Sequence, residues 1–251
     1  MGRFAPSPTG PLHFGSMVAA LASWVDARAN GGRWLLRMED VDAPRTVAGA
    51  AETILEQLAA HGLEWDGEVV YQSRRTALYE DALDRLGDEV FPCGCTRQDP
   101  VCDCQRGLLP GRSGRSIKLR GEDPFILKRA DGLFAYHLAV VVDDAAQGIT
   151  DVVRGADLQD STPRQMRLQT LLGYLHPRYS HVPLALDEKG DKLSKQTRAP
   201  AVDCSRAQEN VAEVLKFLGH DPPDGSLRDR LDWAVHNWDP AKIPLQMART
   251  I

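Results

Sequence analysis

Nowhere in the sequence do apolar residues run on for the ~18–20 positions that a helix needs to cross a bilayer. The opening MGRFAPSPTG lacks the apolar core of a secretory signal. Its Gly2 does not complete a myristoylation signal either, because Arg3-Phe4 runs straight into a strand and turn. Low-complexity tracts and repeats with a period of roughly 20–50 residues are also missing, which excludes solenoids and unfolded linkers. The chain therefore reads as cytosolic, without a membrane partner. A surplus of basic charge is lacking too: formal net charge is −5, so the protein is not built to coat nucleic acid indiscriminately. One local exception is the stretch 106–129, where Arg106, Arg112, Arg115, Lys118, Arg120, Lys128 and Arg129 meet only Glu122 and Asp123. Charge alone leaves that stretch either a solvated face or an RNA-docking surface.

What is present is enough for one large domain or two small ones, since 251 residues can bury a substantial core. A short strand begins at Phe4-Ala5. After a turn, apolar residues at 17, 20, 21 and 24 form the stripe of a helix, which Asn30-Gly31-Gly32 stops. RWLLRM predicts a second strand ending in Glu39-Asp40-Val41-Asp42, and Ala51, Ile54, Leu55 and Leu58 predict a helix closed by His61-Gly62. VVYQ predicts a strand, and Tyr79, Ala82, Leu83 and Leu86 another helix. From about Val90 to Asp123, Cys, Gly, Pro and Arg dominate and neither period survives, so this stretch reads as an insertion.

The alternation then resumes. LAVVV at 138–142 predicts a strand buried on both faces, and ITDVV a further strand. Ser161-Thr162-Pro163 announces a helix with apolar residues at 168, 171, 172 and 175. VPLAL predicts a strand and DEKGDKLSKQ a charged loop. Val211, Val214, Leu215 and Leu218, with Leu231 and Trp233 beyond them, predict a small helical tail. Strands separated by helices of roughly 10–15 residues pair in parallel through right-handed crossovers, so the expected fold is an open α/β sheet.

In such sheets ligands bind outside the carboxyl ends of strands, and phosphates favour helix N-termini. RFAPSPTGPLHFGS meets both conditions: prolines stiffen a turn, Gly15 permits close backbone approach, and His13 offers a donor to a phosphoryl oxygen. Taken singly, a His at a helix start is as readily a satisfied structural group. Lys192-Leu193-Ser194-Lys195 lies in the charged loop after a strand, where two lysines can neutralise a triphosphate. By itself a Lys-rich loop is an ordinary solvated one. The two signals gain force from sitting at strand ends of one sheet. Within the insertion, Cys93, Cys95, Cys102 and Cys104 form C-x-C-x6-C-x-C. Without an export signal a disulfide reading is poor, whereas four thiolates in a short loop suit one tetrahedral structural zinc. The fifth cysteine, Cys204, stands alone.

RFAPSPTGPLHFGS followed by KLSK resembles the two signature regions of the class I aminoacyl-tRNA synthetases, HIGH and KMSKS. RFAPSPTG, RMEDVD, DGLFAYHLAVVVDD, GITDVVRGADL and KLSK, in that order over most of residues 3–200, resemble the glutamyl branch. The resemblance implies a Rossmann-type class I synthetase catalytic domain that makes an aminoacyl-adenylate from ATP, with Mg²⁺ accompanying the nucleotide. It implies that Arg3, Phe4, Ala5, Pro6 and Ser7 line the amino-acid pocket, that Glu39 holds the substrate ammonium, and that Tyr136 and Arg154 are further glutamate contacts. It places His13, Gly15 and Ser16 of the first signature, and Lys192 and Lys195 of the second, at the ATP. Physical reasoning agrees: L-glutamate carries two carboxylates and one ammonium, which two arginines and one carboxylate complement. Glu39, Asp40 and Asp42 are otherwise readable as helix caps or a metal cluster. Three positions depart from the pattern: Ser16 replaces the second His, Leu193 the Met and Gln196 the final Ser.

The implied organisation is a first catalytic half over 1–89, a zinc-binding insertion over 90–123, a second half with the KLSK loop over 124–200, and a helical subdomain over 201–251. Only 56 residues follow Lys195, too few for the helical anticodon-binding half of a full glutamyl enzyme. The length thus resembles the truncated members of the branch. That resemblance implies tRNA-independent activation of glutamate, then transfer to the cyclopentenediol of queuosine in the anticodon loop of tRNA(Asp). These members bear a zinc in the insertion beginning at Cys-x-Cys, with later ligands that differ in spacing and can include a Tyr. Three alternatives stay open: an unusually short enzyme charging a tRNA 3′ end, a small nucleotidyltransferase, and a zinc-stabilised RNA-binding module without activity. The nucleotidyltransferase does not account for Glu39, Tyr136 and Arg154, and the intact His13, Gly15 and Lys195 speak against the inactive module.

Overall fold

A computed structural model describes every residue except 97, 98, 100, 101, 109, 110, 188, 189, 191–199 and 251. The chain begins with β1 (Gly2–Phe4), α1 (Phe14–Ala29), β2 (Trp34–Met38), α2 (Ala50–Ala60), β3 (Val70–Tyr71) and α3 (Thr76–Arg85). Next come β4 (Val90–Cys93), β5 (Ser116–Leu119), β6 (Ile126–Lys128), α4 (Tyr136–Ala146), β7 (Asp151–Gly155), α5 (Thr162–Leu172) and β8 (Arg178–Val182). The chain ends through β9 (Leu184–Leu186), α6 (Ala207–Phe217), α7 (Leu227–Asn237) and β10 (Ala248–Thr250).

The central layer is parallel, as the alternation predicts. β1 pairs with β2, setting Arg3 opposite Leu35, and β2 pairs with β3. On the far flank of β1 lies β7, where the Thr150 and Asp151 amides both donate to the Met1 carbonyl, at 3.0 and 3.1 Å. β8 continues this side in parallel, with Arg154 opposite His181. The chain thus winds outward from β1 to β3 and later returns to the other side of β1. That reversal opens a crevice at the carboxyl ends of β1 and β7, the place where such sheets take ligands.

One core lies between α1 and this layer. Met17, Ala20 and Leu21 of the predicted stripe meet Leu36, Met38 and, from the tail, Val211, Val214 and Leu215, all without measurable exposure. α1 stops where the sequence says it should: Asn30 donates from Nδ2 back to the Asp26 carbonyl at 2.7 Å, and Gly31 adopts φ +62°. A second core gathers Tyr79, Leu83, Leu127, Leu138, Val141 and Leu168. α5 is shorter than its apolar pattern, because Gly173 at φ +70° ends it and leaves Leu175 92% exposed.

Two expectations are corrected. LAVVV at 138–142 is not a strand but the middle of α4. All five residues are buried, and a helix enclosed on every side shows the same unbroken apolar run as a buried strand. The helical form matters for the site, since it carries Asp143 and Asp144 inward. The stretch 90–123, read as lacking any strand period, contributes β4 and β5 to a three-stranded antiparallel sheet completed by β6. Val90 faces Leu119 and Cys93 faces Ser116, and the sheet runs on to Lys128. In β4 only Phe91 and Cys93 are buried and a proline separates them, an alternation too short to register as a period.

Gln57 of α2 ties distant segments together. Its Oε1 accepts from the Leu12 amide at 2.7 Å, and its Nε2 donates to the Leu12 and Val202 carbonyls at 3.4 and 3.2 Å. Gln57→Ala strips the buried Leu12 amide of its partner, while the Leu12 carbonyl keeps the Val202 amide at 2.9 Å, and is expected to cost about 2 kcal/mol. Urea unfolding monitors this as a lower midpoint at unchanged slope. An unchanged midpoint would show that water replaces the amide without loss.

Candidate active site

After β1 the chain leaves the sheet through the proline-rich turn and enters α1 at His13. His13 caps the helix in extended backbone (φ −111°, ψ 175°), and its Nδ1 accepts from the Ser16 amide at 3.3 Å. That bond leaves Nε2 as the ring nitrogen that carries the proton. Ser16 enters through its backbone, so this contact does not need a second His at that position. His13, Gly15 and Ser16 line a cleft of about 220 Å³ together with Gly155, Asp157 and Leu184. His13 also bridges to Ala201, so the chain just beyond 191–199 is held against this turn. Lys192 and Lys195 themselves lie outside the described residues.

Beside this cleft is a second cavity of about 120 Å³, lined among others by Arg3, Phe4, Ala5, Glu39, Tyr136 and Arg154. The fold thus gathers these six expected residues at the carboxyl ends of β1 and β7. Ser7 instead lines a larger cleft of about 760 Å³, which shares Ala5, Glu39 and Tyr136 and extends to Phe125 and His137. Pro6 is buried and acts through its carbonyl, which accepts from the Glu39 amide at 2.9 Å. Gly155 borders both smaller cavities, and a Cβ there would meet Asp157 Oδ1 at 2.6 Å. A larger residue there would have to displace the Asp157 carboxylate.

The charges are ordered by burial. Arg3 is 4% exposed and pairs with Asp144 through Nε at 3.3 Å and Nη2 at 3.5 Å. Arg154 donates to Gln165 Oε1 (2.7 Å), Thr162 Oγ1 (2.8 Å), the Leu158 carbonyl (3.1 Å), His181 Nε2 (3.3 Å) and Tyr136 Oη (3.4 Å). Its guanidinium also stacks 4.9 Å over the Tyr179 ring. Burial and the neighbouring Arg154 hold the His181 imidazole below its usual range, so it accepts as a neutral ring. Burial pushes the Glu39 carboxyl up, against the pull of Arg37 and Arg3. It also pushes up the Tyr136 hydroxyl, helped by Glu39. The remaining acids of that cluster part ways: Asp40 accepts from the Ser73 amide and hydroxyl at 2.8 and 2.6 Å, and Asp42 pairs with Arg129 at 3.1 Å. They form no metal cluster with Glu39.

Arg37, Asp143, Asp144, Gln165 and Gly155 were not among the expected site residues. Arg37, Asp143 and Asp144 lie inside the motif blocks, but only the helical form of α4 reveals that they meet.

In the insertion the four cysteine sulfurs lie within 4.8 Å of one another, with Cys93–Cys102 and Cys95–Cys104 each at 3.5 Å. A tetrahedron with Zn–S of about 2.3 Å has edges of about 3.8 Å, so the donor set fits a closed four-thiolate metal site. The basic stretch around it is largely neutralised within the protein. Arg106 pairs with Asp103, Arg112 with Asp99, Lys128 with Glu80, and Arg129 with Asp42 and Asp131. Arg120 donates to the Asp88 and Gln105 carbonyls.

The family model for the catalytic domain of class I tRNA synthetases (E and Q) matches residues 1–96 and 115–217. The stretch it skips contains Cys102 and Cys104. A glutamyl-Q tRNA(Asp) synthetase of Dechloromonas aromatica is 48% identical over 98% of this chain and 96% of its own length. One from Thiobacillus denitrificans is 49% identical over 97% of this chain and 95% of its own. Among solved structures, a glutamate-tRNA synthetase of Elizabethkingia anophelis superimposes with a TM-score of 0.80 at 23% identity, covering 99% of this chain and 67% of that one. No helix among the described residues is long and apolar enough to cross a membrane.

Proposed function

Because the chain belongs to the glutamyl-Q tRNA(Asp) synthetases, ligases of the class I glutamate and glutamine branch, we propose that it activates L-glutamate with ATP without tRNA and passes the glutamyl group to queuosine in the anticodon loop of tRNA(Asp). Glutamate activation and tRNA modification follow from the family; the tRNA independence and the acceptor nucleoside are the proposal. The observation that carries it is the cavity at the carboxyl ends of β1 and β7. Two guanidinium groups and one carboxylate surround a space beside the His13 turn.

In the first step a carboxylate oxygen of glutamate attacks the α-phosphorus of ATP, the bond to the bridging oxygen breaks, and pyrophosphate leaves. Such a step needs positioning and charge neutralisation more than acid–base chemistry. Glu39 takes the substrate ammonium. Arg3, whose Nη1 is not engaged by Asp144, faces the side-chain carboxylate. Arg154 acts chiefly by fixing the Tyr136 hydroxyl, since its other donors are committed to the protein. His13 presents Nε2–H to a phosphoryl oxygen, and Lys192 and Lys195 neutralise the triphosphate. Mg²⁺ bound with ATP supplies further charge compensation at the phosphates. In the second step a queuosine hydroxyl attacks the mixed anhydride and AMP leaves, so no covalent enzyme intermediate is required. The 760 Å³ cleft beside Glu39 and Tyr136 gives the acceptor its approach. Cys93, Cys95, Cys102 and Cys104 hold a structural zinc that shapes the insertion bordering it.

Glutamate-dependent exchange between ATP and labelled pyrophosphate tests this reading. Exchange without added tRNA is expected. Strict dependence on a glutamate-accepting tRNA would favour an enzyme charging a 3′ end, and no exchange under either condition would favour the inactive RNA-binding module.

A further inference from the structure

Two positions before Glu39, Arg37 is completely buried on β2. It is surrounded by three carboxylates: Asp144 at 2.8 Å, Glu39 at 3.5 Å and Asp143 at 3.8 Å. Its Nη1 also donates to Gln147 Oε1 at 2.7 Å. Nε and Nη2, the atoms nearest Asp143 and Glu39, have no hydrogen-bond partner. Asp144 is shared, because Arg3 grips it from β1 at 3.3 and 3.5 Å. Asp143 is held separately by Arg75 (2.6 Å), Tyr79 (2.7 Å) and Gln72 (2.9 Å).

A buried guanidinium is expensive to desolvate, and an apolar side chain of similar volume would stabilise a core as well or better. A purely structural Arg would also satisfy its donors. Arg37 instead stands at ion-pair distance from Glu39, without the short hydrogen bond that would occupy the carboxylate. It supplies positive charge while leaving the Glu39 oxygens to a ligand's ammonium. Through Asp144 it also fixes Arg3, one of the two arginines that line the cavity.

We propose that Arg37 is a positioning residue for the amino-acid substrate: it keeps Glu39 anionic and hydrogen-bond-competent and, through Asp144, sets the direction of Arg3. This rests on the substrate roles given above to Glu39 and Arg3. The groups that face Glu39 and Arg37 are Arg3 from β1, Tyr136, Asp143 and Asp144 from α4, Gln147 just after α4, and Arg75 with Tyr79 behind Asp143. Among these, Arg37 and Arg3 favour ionised Glu39, while Asp143 and Asp144 oppose it.

The test compares Arg37→Gln, Arg37→Lys and Asp144→Asn in pyrophosphate exchange across pH. Arg37→Gln is expected to raise KM for glutamate about tenfold or more, the equivalent of one pKa unit, with KM for ATP within about twofold. Losing the cation raises the Glu39 carboxyl, so the acidic limb of kcat/KM for glutamate moves to higher pH. Arg37→Lys restores the limb by keeping the charge. Asp144→Asn also raises KM for glutamate by freeing Arg3, but moves the limb to lower pH because an anion beside Glu39 is gone. Its neutral, equally sized side chain keeps the test available if Arg37→Gln fails to fold. Equal loss of both KM values with a fixed limb, or an unchanged KM for glutamate, overturns the proposal. Calorimetric glutamate binding repeats the comparison if wild-type exchange is absent, so failure of the reaction and failure of Arg37's role are read separately.

Discussion

Glu39→Gln is expected to lower kcat/KM for glutamate by about two to three orders of magnitude and to leave KM for ATP within about twofold. The side chain is 11% exposed at the end of β2 and lies 3.5 Å from the buried Arg37. Gln has the same shape but cannot balance an ammonium, and truncating one partner of a desolvated charge pair costs roughly 2–5 kcal/mol. The pH profile sharpens the expectation. Burial pushes the Glu39 carboxyl up, with Arg37 and Arg3 pulling against it, so wild-type affinity for glutamate falls as pH drops through a value above the usual carboxylate range. The variant has no such limb. Stability moves the other way. A raised carboxyl means the folded state binds that proton more readily than the unfolded chain, so ionised Glu39 opposes folding above its unfolded-state value. The variant is therefore at least as stable as wild type at neutral pH. Asp144 has the opposite sign: burial raises its carboxyl, but Arg3 and Arg37 outweigh that and hold it below the usual range. Its contribution to stability is present above the ordinary Asp value and is lost as pH falls through the depressed one. A Glu39→Gln protein that loses thermal stability and ATP affinity together would show that Glu39 is a fold residue.

Removal of metal is expected to have the largest structural effect. Among the described residues the insertion's core is Phe91, Cys93 and Cys104, with Cys95, Cys102 and Leu108 packed against it. So small a core does not hold by itself, whereas a structural zinc contributes about 10–16 kcal/mol in peptides that fold around it. Protein purified without chelator is expected to carry one zinc per chain by elemental analysis. Chelation, or Cys93→Ser, is expected to open the segment between β4 and β5 to proteolysis while the parallel layer stays folded. Because Phe125, Ile126 and Arg129 line the large cleft, transfer to tRNA is expected to suffer far more than pyrophosphate exchange. Metal-free protein as isolated, or an unchanged digestion pattern after zinc removal, would sink the assignment.

Much of this was legible before any coordinates. The stripe at 17, 20 and 21, the stop at Asn30 and the tail positions 211, 214, 215 and 218 all occupy the expected elements. Six of the residues that the resemblance placed at the amino acid line one cavity, and the four sulfurs converge as their spacing suggested. Periodicity misled at 138–142, where burial on every side erased the difference between a helix and a strand. The basic stretch 106–129 also reads differently in three dimensions, because acids distant in sequence, such as Glu80 and Asp42, neutralise its cations.

The sequence by itself determined the family, the alternating architecture, the turn that caps α1 and the thiol cluster. The family rests on the resemblance of its motif blocks and the others on local spacing, and both are what a linear chain records. Only the tertiary structure decided that Arg37 sits among Glu39, Asp143 and Asp144, and that Arg154's donors are taken up by protein partners. The first depends on groups that share a buried volume across more than a hundred residues of chain. The second depends on partners 4 to 27 residues away that only the fold brings around one guanidinium, and burial is what gives a charge its strength.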